Sequence, residues 1–180
     1  KDSMFDLESY IVKKVREKFG KAEEVAFWHG TAVKQPTGLL NGIATGDYTG
    51  FTYTNLTSAI YDLPQDYAVN GKFYLNRKAM KEIKNLVDGN NRPLFVETSD
   101  INSKYDGALL GYPVLFTEGL NVDEIVFGDL YNAYGILDKT NDSGLIRDDI
   151  TEKGKIKFAT WVRTGGSGLR REAFLFIKKA

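Results

Sequence analysis

Few residues in this chain have the type and spacing to do chemistry. Its single histidine, His29, stands in the stretch FWHGTAVKQPTGLL, Phe27 to Leu40. General-base or metal duty would need a carboxylate or further ligands around it, and the sequence has neither an HExxH pattern nor a second histidine. Next to Gly30, His29 reads instead as a helix end. There an imidazole meets the last carbonyls and the negative end of the dipole, and Gly30 is the candidate left-handed C-terminal cap. The glycine-rich RTGGSGLRRE, Arg163 to Glu172, could cradle phosphate, yet it lacks the Walker pattern and has two arginines where a Lys-Ser/Thr pair should stand. It is read as a turn between two strands. DKTNDSGLIRDD puts Asp138, Thr140, Asp142 and Asp149 near the spacing of an EF-hand loop, but Ser143 replaces the glycine at its sixth position and Asp149 the glutamate at its twelfth. The segment from Asn141 to Gly144 is simpler as a tight polar turn. Asp62 with Asp66, and Asp148 with Asp149, are carboxylate pairs that nothing in the sequence raises above solvated surface charge. No GxSxG elbow is present and there is no cysteine. The expected catalytic, cofactor-binding and metal-ligating residues are therefore none.

The elements that would position a site are clearer than the site itself. The chain has 180 residues, 42% of them hydrophobic and 13% aromatic, enough for one substantial core. No apolar run approaches the length of about 20 residues that a membrane helix needs, and the start, KDSMFDLESY, is no signal peptide. It also lacks an initiator Met, which leads to the expectation of a processed or trimmed product. Met4, Leu7, Ile11, Val12, Val15, Phe19, Ala22 and Ala26 recur at spacings of three and four, which predicts a long amphipathic helix from Phe5 to Trp28 with Ser3 and Asp6 as a capping box. Gly20 costs this helix about 1 kcal/mol relative to Ala and allows a bend. A loop rich in Gly, Thr and Tyr runs to Asn55, followed by a short helix over Leu56 to Leu63 and a strand over Lys72 to Leu75. Asn76 is the N-cap of a second helix in which Ala79, Met80, Ile83, Leu86 and Val87 share a face, ended by Asp88-Gly89. Strand-like runs then dominate: PLFV, GYPVLF, DEIVFG, YNAYGIL, KIKFATWV and EAFLFIKK. Short strands mixed with two amphipathic helices define an α+β architecture.

Net charge is zero, but the charges are segregated. Residues 97–152 hold 12 acids and 3 bases, residues 153–180 hold 8 bases and 1 acid. Zero balance argues against a protein built to grip phosphate backbones. Two arrangements satisfy the segregation: the segments pair within one chain, or one subunit's acidic surface meets a neighbour's basic one.

The ordered series of motifs resembles the major capsid proteins of tailed phages of the Hong Kong 97 type. AEEVAFWHGTAVKQPTGLL is similar to the end of that family's spine helix and the Pro-x-Gly turn after it. GKFYLNRKAMKEIKNLVDGNNRPLFV is similar to its strand and helix, through Asn76, Leu86, Val87, Asp88, Gly89 and Leu94. LLGYPVLFTEGL matches through Gly111, Pro113 and Val114, IVFGDLYNAYGILDK through Gly128, Asp129 and Tyr134, and the final strands through Arg163, Ala173 and Phe174. The resemblance covers nearly the whole chain. It implies a spine helix in a peripheral domain over residues 1–36, an axial domain over 37–135, peripheral strands over 136–170, and a C-terminal strand, 171–180, returning toward the axial domain.

The resemblance also implies a function: a structural shell subunit, not an enzyme, with no cofactor and no catalytic role for His29. It would assemble into pentamers and hexamers of an icosahedral shell around double-stranded DNA. Its expected partners are further copies of itself, a scaffolding segment or protein, a maturation protease, the portal, and packaged DNA held without sequence-specific contacts; no membrane is involved. The expected location is the virion, and the host cytoplasm during assembly. In the family an N-terminal arm and an extended β-hairpin loop precede the spine helix, so this chain is expected to be the folded body without its main lacing, and to associate weakly. Some relatives crosslink a Lys of that loop to an Asn of another subunit; here the loop is missing and no acceptor Asn or assisting Glu is assignable. Encapsulin compartments share the architecture and enclose enzymes, which makes a compartment shell the alternative. A third class, a small hydrolase or sugar-binding domain, would use the aromatics around Phe51, Tyr53 and Tyr61.

Overall fold

The computed structural model describes residues 7–43, 46–87, 90, 92, 93, 95–97, 107–139, 144–148, 150, 151 and 156–179. The amphipathic stripe forms one continuous helix, α1, Leu7–His29, which passes through Gly20 without interruption. The expected capping box, Ser3 and Asp6, lies outside the described residues. Little of α1 is buried: Ile11, Val12, Val15, Phe19 and Ala26 are half-buried, Ala22 is exposed, and Trp28 is the one described α1 residue that enters the core.

After α1 come β1 (Tyr48–Thr49), α2 (Tyr53–Asp62), α3 (Gln65–Ala68), β2 (Lys72–Leu75), α4 (Met80–Ile83), β3 (Phe95–Glu97), β4 (Gly107–Leu109), β5 (Tyr112–Phe116) and β6 (Glu124–Gly128). The chain then forms α5 (Leu130–Ala133), β7 (Tyr134–Asp138), β8 (Gly144–Asp148), β9 (Lys157–Trp161), β10 (Thr164–Gly168) and β11 (Phe174–Lys178). Seven strands make one mixed sheet in the order β1-β11-β6-β2-β5-β4-β3, and β7 with β10 and β8 with β9 make separate antiparallel ladders. All five residues of β6 are buried, so this strand is covered on both faces. Phe73 and Phe127 face each other across the β2–β6 pair at 4.5 Å between ring centres, with the Tyr112 ring edge-on to Phe127 at 5.0 Å.

Four expectations need correction. The helix placed after Asn76 has only four residues, flanked by turns; Val87, expected on its apolar face, bridges to Pro93 instead, and the expected end at Asp88-Gly89 lies outside the described residues. Asn76 still acts as a local cap, its Oδ1 accepting from the Lys78 N–H, while its amide donates to the Leu120 carbonyl. YNAYGIL is half helix, because Asp129 accepts from the Tyr131 N–H at 3.1 Å and starts a helical turn before the strand begins. Residues 164–168, read as a turn, form β10 paired with β7. Glycine-rich sequence gives no strand signal, but here it is a steric requirement: a Cβ on Gly166 would sit 2.3 Å from the Tyr134 hydroxyl.

Fourth, Gly30 is not a left-handed cap; it is absent from the residues of positive φ, whereas Ala32 and Lys34 adopt φ of 65° and 59°. Its role is close approach. A Cβ on Gly30 would lie 2.1 Å from the Pro36 carbonyl oxygen, and one on Gly38 2.4 Å from the Gly30 nitrogen. Through this gap the chain turns back and caps α1 from outside: Gly38 donates to the Gly30 carbonyl at 2.8 Å, Leu39 to that of Phe27 at 2.8 Å and Leu40 to that of Trp28 at 2.9 Å. The last carbonyls of the helix, which have no partner inside it, are satisfied by the returning backbone.

The segregated charges meet inside the chain. Each antiparallel ladder of β6 with β11, β7 with β10, and β8 with β9 takes one strand from the acidic segment and one from the basic segment, with Glu124 in register with Lys178 and Asp148 with Lys157. The ion pairs themselves are made elsewhere: Glu118 meets Lys21, Glu124 meets His29, Arg171 meets Asp47 and Lys179 meets Glu82.

Glycine substitutions in and beyond α1 should act with opposite sign. Gly30→Ala or Gly38→Ala drives a Cβ into backbone and should cost about 3 kcal/mol or more. A Cβ on Gly20 meets nothing within 4 Å, so Gly20→Ala should stabilise by about 1 kcal/mol. Urea unfolding of the three variants checks both signs.

Candidate functional site

The motif residues converge where α1 ends. Gly128 closes β6, and buried Asp129 caps α5 with one carboxylate oxygen while accepting from the Asn132 amide with the other at 2.7 Å. The Asp129 N–H donates to the carbonyl of Ala173 at 3.0 Å, which ties this corner to the start of β11. The Tyr134 hydroxyl donates to the Thr37 carbonyl at 2.7 Å and the Thr37 N–H to that of Gly166 at 2.9 Å. The ring of Tyr134 meets Phe27 of α1 at 5.8 Å, and Trp28 meets Tyr74 at 6.1 Å. Five segments far apart in sequence are thus locked into one joint.

His29 completes this joint. Its Nε2 lies 3.2 Å from the Glu124 Oε2, and neither group is in free solvent: 28% of the imidazole and 6% of the carboxyl side chain are exposed. The contact is an ion pair rather than a well-aligned hydrogen bond, because Nε2 is fully buried without a partner of hydrogen-bond geometry. Proximity to Glu124 raises the His29 pKa against the opposing effect of burial, with the Gly119 carbonyl adding to the rise. For Glu124 burial pushes upward, but His29 and the Asn121 N–H, which donates at 3.0 Å, outweigh it and the pKa falls. One imidazole nitrogen faces Glu124 and the Gly119 carbonyl engages the ring as well, so the ring is held from two sides. Sequence reasoning missed Glu124, which lies 95 positions away and has only its place in an apolar strand to distinguish it.

The other candidates do not assemble into a centre. Asp148 accepts from the N–H groups of Ile150 and Thr151, both at 3.0 Å, and from the Thr151 hydroxyl, which pulls its pKa down and makes it a turn former. Asp138 accepts from Thr164 at 2.7 Å; Thr140, Asp142 and Asp149 lie outside the described residues. Asp62 accepts from the Tyr48 hydroxyl, whose pKa is pushed up to about 12 by burial and by that carboxylate. Phe51 packs on the core, whereas Tyr53 and Tyr61 are exposed. Among the described residues no group of three His, Cys, Asp or Glu could hold a metal, and no helix is long and apolar enough to cross a membrane.

What the surface does offer is apolar area: Val33, Tyr61, Val69, Tyr131, Leu137 and Leu169 are all largely exposed. A recess of about 270 Å³ lies between Val12, Val15 and Phe19 of α1 and Thr160, Trp161 and Val162.

The α+β body, its exposed long helix and its joint define a Hong Kong 97-type capsid fold. The phage capsid family model matches residues 1–179, and the chain belongs to that family. Among solved structures, the capsid of an empty GTA particle is 27% identical with a TM-score of 0.81, and the match covers 100% of this chain and 68% of that one. The capsid of a native GTA particle is 26% identical with a TM-score of 0.82 over the same shares. The SrpI encapsulin of Synechococcus elongatus PCC 7942 has the same fold at 14% identity, TM-score 0.68, over 98% of this chain and 67% of that one. No curated protein sequence matches the chain.

The two shifted groups of the joint fix its pH dependence. Because the His29 pKa is raised above its ordinary 6.5, the pair contributes fully below about pH 6.5 and its contribution is lost as the pH rises through the folded value. Because the Glu124 pKa is lowered from 4.5, its contribution holds above that value and is lost as the pH falls through the folded one. Unfolding midpoints measured from about pH 5 to 9 should fall for the native chain relative to His29→Gln as the imidazole deprotonates. Parallel curves would show that the pair contributes nothing.

Proposed function

We propose that this chain is the folded body of a shell subunit of a tailed phage or prophage, assembling as pentamers and hexamers into an icosahedral head that encloses double-stranded DNA. The observation that carries this reading is the match to GTA particle capsids over the whole chain at 27% identity. The phage capsid family match and the likeness to particle capsids support a structural rather than an enzymatic role.

Residues 1–36 and 136–170 form the peripheral part and 37–135 the axial wedge, with 171–180 returning to the wedge. This division is supported by β11 lying beside β6 in the large sheet, while β7 to β10 form two ladders outside it. The His29 and Gly30 joint sits between the two parts and sets their angle. Identical subunits in fivefold and sixfold clusters need modest, repeated contacts rather than one large apolar patch, and the scattered exposed residues suit that. Scaffold, protease and portal act on the particle during assembly in the host cytoplasm, and the finished location is the virion. A compartment shell is the second reading, supported by the SrpI fold match.

Electron microscopy of particles from the complete reading frame, with nucleic acid and protein contents assayed in the same preparation, tests this. Icosahedral shells, DNA-filled or empty, are the expected result. Small shells holding one enzyme would move the reading to a compartment, and a monomer under all assembly conditions with any scaffold present would overturn it.

A further inference from the structure

We infer that successive copies of this chain dock head to tail through two oppositely charged flanks of the large sheet, the α2–α3 turn of one copy against α4 of the next. The inference rests on the shell reading and names the surfaces that reading leaves open.

One flank is acidic. Helix α2 packs on β1 and β11, with Leu56 and Ala59 buried beneath it. It ends in exposed Tyr61 and Asp62, and α3 carries exposed Asp66 with Val69 just beyond. The nearby arginines are already engaged. Arg171 holds both Asp47 oxygens, at 2.6 and 2.8 Å, and Arg170 meets Glu172 through the Tyr67 hydroxyl, which accepts from the arginine at 3.1 Å and donates to the glutamate at 3.0 Å. Tyr48, the partner of Asp62, is neutral at ordinary pH, so its hydrogen bond leaves the carboxylate charge in place. Asp62 shares a recess with Arg170 and Arg171, whose charges Glu172 and Asp47 match, so Asp62 and Asp66 themselves have no ion-pair partner among the described residues; Tyr61 beside them is 81% exposed.

The opposite flank is basic. Ala79, Met80 and Ile83 are buried, which turns Arg77, Lys78, Lys81 and Lys84 outward on the far face of α4 and its flanking turns. Arg77 lies over the Phe116 ring of β5 and Lys84 over the Phe95 ring of β3, each at 5.9 Å, which places the cluster toward the other edge of the sheet from α2. The one acid of α4, Glu82, is taken by Lys179 at 2.7 Å. Lys78 and Lys81 have no side-chain partner among the described residues.

Each flank repels itself in the isolated chain, and a contact between the two relieves both. Two different patches meeting head to tail form a heterologous contact, the kind that closes into rings. An exposed aromatic beside the charges fits the centre-and-rim pattern of protein interfaces. A polyanion such as nucleic acid would cover the basic flank and leave the acidic one facing solvent, so a second copy is the better occupant.

The test uses the complete reading frame and three variants: Lys78→Glu with Lys81→Glu, Asp62→Lys with Asp66→Lys, and all four changes together. Each double reversal should lower the yield of closed shells by at least about tenfold, since like charges then face each other at every contact. The fourfold variant carries both flanks exchanged, should assemble again, and should form shells that exclude native subunits when the two are mixed. Unfolding midpoints of the dissociated subunits should match the native value. If the Asp62 change disturbs folding through Tyr48, Asp66→Lys and Lys81→Glu, which remove no in-chain partner, replace it singly and together. Native shell yield from either reversal, or a folded fourfold variant that fails to assemble, overturns the inference while leaving the shell reading standing. A native chain that forms no shell removes both.

Discussion

The structure depends on one close approach. At Gly30 and Gly38 two backbones pass with no room for a side chain on either, and the returning chain donates to the carbonyls of Phe27, Trp28 and Gly30. A 23-residue helix with little buried surface of its own gains from this a terminus held by tertiary hydrogen bonds rather than by a local cap. Once the helix end is fixed, Trp28 enters the core, Phe27 meets Tyr134 and His29 faces Glu124. Everything beyond is referred to that point, including β10 through Thr37 and α5 through Asp129 and Tyr134.

The only histidine, His29, belongs to this joint, held against a buried carboxylate beside a backbone carbonyl. The carboxylates elsewhere are turn formers, caps or surface charges, and the glycine-rich stretch spends its backbone on a ladder with β7 rather than on a phosphate. The functional content lies on the outside, in a long helix only half covered by its own chain and in exposed aromatics and charges distributed over several faces. The chain belongs to the phage capsid family, and the GTA capsids it resembles are parts of particles.

Charge segregation along the sequence follows strand pairing only in part. The three late antiparallel ladders each take one strand from residues 97–152 and one from 153–180, yet acid and base stand in register at only two places, Glu124 with Lys178 and Asp148 with Lys157, and β10 carries no charge. Around α4 the run Arg77 to Lys84 is basic, and burial of Ala79, Met80 and Ile83 leaves its charges on the other face.

The sequence by itself determined the elements whose signal is local. The 3.6-residue apolar stripe specified α1 to within one residue at its end, and β2, β5, β6, β9 and β11 follow from short apolar runs bounded by turn formers. The order of its motifs was enough to place it in its family. Tertiary structure alone decided the rest, because the deciding contacts join distant residues: Gly30 with Pro36 and Gly38, Gly166 with Tyr134, and His29 with Glu124. A strand made of Thr-Gly-Gly-Ser-Gly has no intrinsic preference for extension; it is held as β10 by its ladder with β7, and Gly166 alone of its glycines leaves the space that the Tyr134 ring takes.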